Sequence, residues 1–351
     1  MQDPRLRRLQ SEGFQCGEKI EKDDVLTFVI FHCSLPPPCN TPLEFRCRDS
    51  SCGALEAGEE AATLADEDYT VDPNFFDEGY SMAGSTGFKS SSYAPHLICQ
   101  CCRERECKVW TGSRLLIETL AWPQNTDCER LKEIQQYIRN GARMIELGSG
   151  VGVVGTYLSA IGSQVLVTDL PTLVENAIDS NLHRNKNIID SMTTTSTSCS
   201  TIENNASCPT WLGADGIRVG NGWAAATPLD WTQPLHEQLT HEQTSTIEFI
   251  VASDVIFLAS MLNSLLNTVN LLFQASASNN PSFILSFQRR DANDGEESVA
   301  FTTVSGFVAE IHRRGWSLDC LAWRPVTVRK ETKDGLVVNE ESEVFVFEIT
   351  P

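Results

Sequence analysis

Met144-Ile-Glu-Leu-Gly-Ser-Gly-Val-Gly-Val-Val-Gly155 decides how this 351-residue chain is read. A short apolar run, Met144, Ile145 and Leu147, ends at a cluster of glycines, and small apolar residues follow. That order predicts a strand, a tight turn and a helix N-terminus. In an open α/β sheet, nucleotide-like cofactors sit at this junction, where the strand end and the unpaired helix amides converge.

Two cofactor classes compete for the loop. Gly150-Val-Gly-Val-Val-Gly155 satisfies the dinucleotide pattern G-x-G-x-x-G, with Asp169 about 20 residues further on. Glu146 argues against a dinucleotide, because a carboxylate beside an anionic pyrophosphate is repelled and little screened in a cleft. S-adenosylmethionine has no phosphate and carries a sulfonium and an ammonium, so the same carboxylate attracts it. The glycines let backbone approach a ligand without Cβ clashes. Asp169 closes the next apolar run, Val165-Leu-Val-Thr-Asp-Leu170, where a carboxylate can accept both ribose hydroxyls. Either cofactor needs that group, so Asp169 supports a nucleoside site without choosing.

Four segments, in order, then give the chain a resemblance. They are Val109-Trp-Thr-Gly-Ser-Arg-Leu-Leu116, the glycine loop with Asp169, Pro228-Leu-Asp-Trp231, and Ala252-Ser-Asp-Val-Ile-Phe257. The chain resembles the seven-strand (class I) S-adenosylmethionine methyltransferases. More narrowly, it resembles the family-16 protein-lysine methyltransferases, which modify elongation factors, chaperones and AAA ATPases. The last segment matches that family's [DE]-x-x-[YF] signature, and Phe283-Ile-Leu-Ser-Phe-Gln-Arg-Arg290 is similar to its fifth strand and following loop.

The resemblance covers residues 93–351 and implies a Rossmann-like, mostly parallel, doubly wound sheet of seven strands closed by an antiparallel hairpin. It also implies roles. Glu146, Gly148, Gly150 and Gly152 contact the methionine end and sugar, and Asp169 holds the ribose. Asp230 and Trp231 lie at the adenine, Trp110 closes over the cofactor, and Ala252 lines the floor. Asp254 and Phe257 face the methyl group and the nucleophile.

Charge and composition narrow the partners. Acids outnumber bases by 47 to 27, a net charge of −20, which disfavours a nucleic-acid substrate. A protein substrate is expected, and a monomer. No run of about 18 apolar residues suggests a membrane span. The basic N-terminus lacks the apolar core of a signal peptide. Thirteen cysteines are present, and the densest group, Cys99, Cys101, Cys102 and Cys107, lacks the paired spacing of a zinc site. We expect reduced thiols, no metal, and a cytoplasmic or nuclear location.

Residues 1–92 read as an acidic, partly disordered, irregular extension, although Val25-Leu-Thr-Phe-Val-Ile-Phe31 can form a strand. Residues 96–110 have strand character, and 124–140 are helical by the 3–4 spacing of Leu131, Ile134, Tyr137 and Ile138. Residues 173–187 form the second crossover helix. Residues 188–215 hold a Ser/Thr/Asn-rich surface insertion, which leaves the third strand somewhere in 217–229. Strand four (246–254), a helix (261–273), strand five (282–287), a helix (299–314) and a closing strand pair (316–324 and 343–349) complete the domain.

The function these readings imply is methyl transfer to a lysine nitrogen by in-line displacement, with orientation supplying most of the catalysis. Asp254 holds the amine but, being an anion, does not lower a lysine pKa by itself. Besides a residual dehydrogenase reading of the glycine loop, two alternatives remain open from sequence. One is a methyltransferase for small molecules or other side chains. The other is a cofactor-binding interaction protein without turnover.

Overall fold

The computed structural model describes residues 16–22, 27–37, 42–48, 98–99, 111–122, 128–186, 207–256, 259–289, 302–331 and 337–351. The first parallel strand, β5 (Arg143–Leu147), is the apolar run before the glycines. Around it lie β6 (Gln164–Asp169), β8 (Gly222–Pro228), β9 (Phe249–Ser253) and β10 (Ser282–Gln288), paired in parallel in the spatial order β8-β6-β5-β9-β10. β11 (Ser317–Glu331) and β12 (Val337–Thr350) close the sheet as an antiparallel hairpin, with β12 inserted between β10 and β11.

These seven strands follow the expected doubly wound order. Two short edge strands extend the sheet to nine: β4 (Ile98–Cys99) against β11, and β7 (Ile217–Val219) against β8. The region expected to hold one third strand is therefore a hairpin, β7 turning at Gly220 and Asn221 into β8. The order reverses at β5: β6 lies on one side and β9 on the other. The crevice for a ligand opens at such a switch point, beyond the carboxyl ends of the strands.

Alternation along the strands divides the core in two. Met144, Val165, Val167, Val251 and Ile284 face one side, against α1 (Thr111–Ala121), α2 (Glu129–Arg139) and α3 (Val153–Ile161). Ile145, Leu147, Leu166, Ile250, Phe283 and Leu285 face the other, against α5 (Ala259–Ala275) and α6 (Val304–Arg313). The second crossover helix, α4, runs over 171–184 with a π turn at Val174–Ile178. Helix α1 is buried from Gly112 to Ala121 except at Arg114, and it carries Glu118 into the interior. Glu118 is held there by Arg114 at 3.1 Å and by Arg324 of β11, so the buried charge is paired.

Before the nine-stranded sheet in sequence, β1 (Cys16–Lys22), β2 (Thr27–Cys33) and β3 (Leu43–Arg48) form a separate antiparallel sheet. Cys33, Leu35, Leu43 and Phe45 belong to the same apolar cluster as α1 to α4, so this small sheet packs on the helical layer. Most of the surface insertion expected at 188–215 (residues 188–206) and most of 96–110 lie outside the described residues, whereas Trp211 and Leu212 near its end are buried. Among the described residues no helix is long and apolar enough to cross a membrane.

Candidate active site

Gly148, Gly150 and Gly152 all have positive φ, at 68°, 60° and 82°, a region L side chains rarely adopt. Gly148 also has no room for a side chain. A β-carbon there would stand 2.7 Å from Val255 Cγ1 and 3.1 Å from the Trp231 ring. The loop therefore presents bare backbone to the crevice, walled on one side by an indole. Asp169 at the end of β6 braces it: the Gly150 amide donates to Oδ2 at 2.7 Å, and the Leu170 amide donates to Oδ1 at 2.7 Å. Burial raises the Asp169 carboxyl to about 6.

Glu146 takes a different position from the one its sequence context suggested. Its carboxylate lies under the loop, 1 % exposed, and accepts the Gly155 amide of α3 at 2.9 Å. A β-carbon on Gly155 would meet that oxygen at 2.5 Å, so glycine at 155 makes room for the acid. Burial pushes the Glu146 carboxyl up to about 8, and the nearby Asp169 charge adds to the rise. Its first partner is thus the loop-to-helix junction.

Asp230 and Trp231 follow β8. Asp230 Oδ1 accepts both the amide and the hydroxyl of Thr232 at 2.8 Å, a local turn that presents Trp231 toward Gly148. Gln238 clamps the Asp230 backbone by accepting its N–H at 2.7 Å and donating to its carbonyl at 2.9 Å. Ala252 is fully buried in β9 beside Leu285 of β10, part of the floor below the strand ends. Trp110 and Phe257 lie outside the described residues.

Asp254 stands just past β9 with φ at 55°. Its amide donates to the Ser286 carbonyl at 3.2 Å, and its Oδ2 accepts the Ser113 amide of α1 at 3.1 Å. The carboxylate thus caps the first turn of α1, a helix remote from it in sequence. Ser113 and Ser253 join their hydroxyls at 2.8 Å, a second tie between α1 and β9. Gly112, Ser113 and Ser253 were not singled out by sequence reasoning, although all three lie inside the quoted segments. The signal was their adjacency to Trp110 and Asp254.

One site therefore gathers the glycine loop, Asp169, Trp231, Ala252 and Asp254 at the switch point between β5 and β9. The positive-φ glycines, the indole wall and the braced acid suit a nucleoside.

A family model described as lysine methyltransferase matches residues 101–199 and 217–304. EEF1A lysine methyltransferase 3 of Mus musculus is 34% identical over 88 residues, 25% of this chain and 38% of the mouse protein. The chain therefore matches well under half the length of that curated relative. Among solved structures, the YcgJ protein of Bacillus subtilis superposes with a TM-score of 0.40 at 9% identity, over 68% of this chain and 97% of that one. Magnesium protoporphyrin IX methyltransferase of Synechocystis gives 0.32 at 13% identity, over 68% and 93%. The strand order carries the fold assignment, not these superpositions. With more than half of its residues matched by the family model, the chain belongs to the lysine methyltransferase family, and its cofactor is S-adenosylmethionine.

Proposed function

We propose that this protein transfers a methyl group to a lysine nitrogen of a protein substrate. The observation that carries the reading is Asp254, fixed at the end of β9 beside the cofactor loop, within a chain of this family. Bound S-adenosylmethionine supplies an electrophilic methyl group on a sulfonium. Gly148, Gly150 and Gly152 would line it with backbone, Asp169 would accept the ribose hydroxyls, and Trp231 would pack on its flat base.

The chain's own part is orientation. Asp254 is held by its backbone and by the Ser113 amide, so its carboxylate is aimed before any substrate arrives. A carboxylate there accepts an N–H from the incoming amine and sets the nitrogen lone pair in line with the methyl group. The attacking lysine must be neutral, and an anion alone favours the ammonium. Release of that proton to water falls to desolvation of the amine as the acceptor segment covers the crevice. The expected partner is a protein, and the mouse relative is named as an EEF1A lysine methyltransferase. The expected state is a cytoplasmic or nuclear monomer.

The test is to incubate the purified full chain with methyl-labelled S-adenosylmethionine and an unmethylated lysate. Label in a protein band, mapped by mass spectrometry to lysine, supports the proposal. Label confined to small molecules, or on another side chain, overturns it.

A further inference from the structure

Two asparagines, Asn181 on α4 and Asn185 at its C-terminal cap, behave toward β3 as a neighbouring strand would. Asn185 Oδ1 accepts the Glu44 amide at 2.8 Å, and its Nδ2 donates to the Glu44 carbonyl at 2.7 Å. One helical turn earlier, Asn181 Oδ1 accepts the Arg46 amide at 2.8 Å, and its Nδ2 donates to the Arg46 carbonyl at 3.1 Å. Residues 44 and 46 direct their amides and carbonyls to one side of β3, as strand geometry requires. Asparagines spaced i, i+4 on a helix meet both of them.

The two rungs differ in one respect. The second N–H of Asn185 returns to its own helix, at the Asn181 carbonyl, 2.9 Å away. The second N–H of Asn181 donates instead to the Val151 carbonyl, 2.9 Å away, inside the glycine loop. Asn181 is 1 % exposed, and its single amide is fully used: one acceptor and two donors, all satisfied.

Val151 lies between Gly150, whose N–H is held by Asp169, and Gly152, at φ 82°. The loop is therefore gripped from both flanks, by an acid on β6 and by an amide on α4. The amide is in turn fixed by the N-terminal sheet. A further tie runs the same way: the Tyr157 hydroxyl of α3 donates to the Ser34 carbonyl, just after β2, and accepts from Trp122 Nε1. The small sheet is thus attached to the two helices that follow the two cofactor-binding strands.

We propose that Asn181 is a positioning residue for the cofactor loop, and that through it the β1–β3 sheet forms part of the S-adenosylmethionine site. This rests on the glycine loop being the cofactor loop, and it is independent of what accepts the methyl group. Asn181 touches no reacting atom; it sets the backbone that does.

The test compares Asn181→Ala with Asn185→Ala in the full chain, titrated calorimetrically with S-adenosylhomocysteine. Each variant removes one rung to β3, so both lower the melting temperature. Only Asn181→Ala frees the Val151 carbonyl. Its dissociation constant should rise by about tenfold, the cost of one buried hydrogen bond, while Asn185→Ala stays within about twofold of wild type. Asn181→Asp keeps the acceptor for Arg46 but faces both carbonyls with oxygen, and should weaken binding at least as much as alanine.

With a transferable substrate, KM for the cofactor should rise while kcat holds. Equal affinities for the two alanine variants would overturn the proposal and leave the cofactor assignment standing. So would an Asn181→Ala chain too unstable to titrate beside a sound Asn185→Ala, since Asn181 would then be a packing residue. Failure of the wild type to bind would overturn the cofactor assignment as well.

Discussion

Gly112 and Asp254 share one space. A β-carbon on Gly112 would stand 2.5 and 2.4 Å from the two carboxylate oxygens of Asp254, and 2.3 Å from the Ser286 hydroxyl. The residues are remote in sequence, yet the position of the acid depends on the absence of a side chain at the start of α1. Gly112→Ala should therefore push the carboxylate aside. We expect methyl transfer to fall on the order of a hundredfold, the cost of misplacing a group by about an ångström. Affinity for S-adenosylhomocysteine should change far less, and calorimetry beside a transfer assay reads the split.

Asp254 itself is best tested with asparagine. Asp254→Asn keeps an oxygen for the Ser113 amide and tolerates φ at 55°, which alanine does not. Its effect is therefore that of charge. Transfer should drop on the order of a hundredfold with cofactor affinity retained. Full activity in the asparagine variant would remove Asp254 from the reaction.

Asp169→Asn probes the cofactor side. Each Asp169 oxygen accepts one backbone amide, so an NH2 in place of either sets donor against donor. Binding of S-adenosylhomocysteine should weaken by at least about tenfold, as expected for loss of a charge-assisted bond. Fluorescence of Trp231, whose ring lies against the loop, offers a second readout of occupancy.

Glu146 makes the stability of the cofactor-free protein depend on pH. Its carboxyl ordinarily titrates at 4.5 and in the folded chain at about 8. Between those values the native state holds a proton that the unfolded chain has released. The stabilisation is therefore complete below pH 4.5 and is lost as pH rises through 8. Glu146→Gln keeps an acceptor for Gly155 and has no proton to lose. Thermal melts from pH 6 to 9 should slope downward for wild type and flatten in the variant. Parallel slopes would show that another group carries the effect.

The parts of this fold that sequence revealed are those with a local signature. Met144 to Leu147 is apolar except for Glu146 and ends in glycine, and residues 283–287 are apolar except for Ser286 because β10 is covered on both faces. The closing antiparallel hairpin also announced itself, although it is longer than the apolar residues alone suggested: polar residues such as Thr327 and Glu341 continue the pairing.

The site was less legible where its geometry is long-range. The Ser113–Asp254 bond spans 141 positions, and no periodicity encodes it. Glu146 was readable as an acid beside glycines, but not as a buried one, because the depth at which Gly155 receives it depends on the packing of α3. The hairpin of β7 and β8 had a short-range cue in Gly220-Asn221, lost beside the polar tract before it. Asn181 and Asn185 read as an ordinary polar helix face, since only the arrival of β3 gives them partners.

Those two asparagines also settle what becomes of an exposed strand. The outer rim of β3 turns the amides and carbonyls of Glu44 and Arg46 toward α4, and such a rim is the kind of template on which a second chain can add a strand and aggregation begin. Natural proteins commonly guard such rims with charge, proline or a bulge. Here the guard is a pair of side-chain amides that consume the template's own hydrogen bonds, leaving nothing at those two residues for a foreign strand to take.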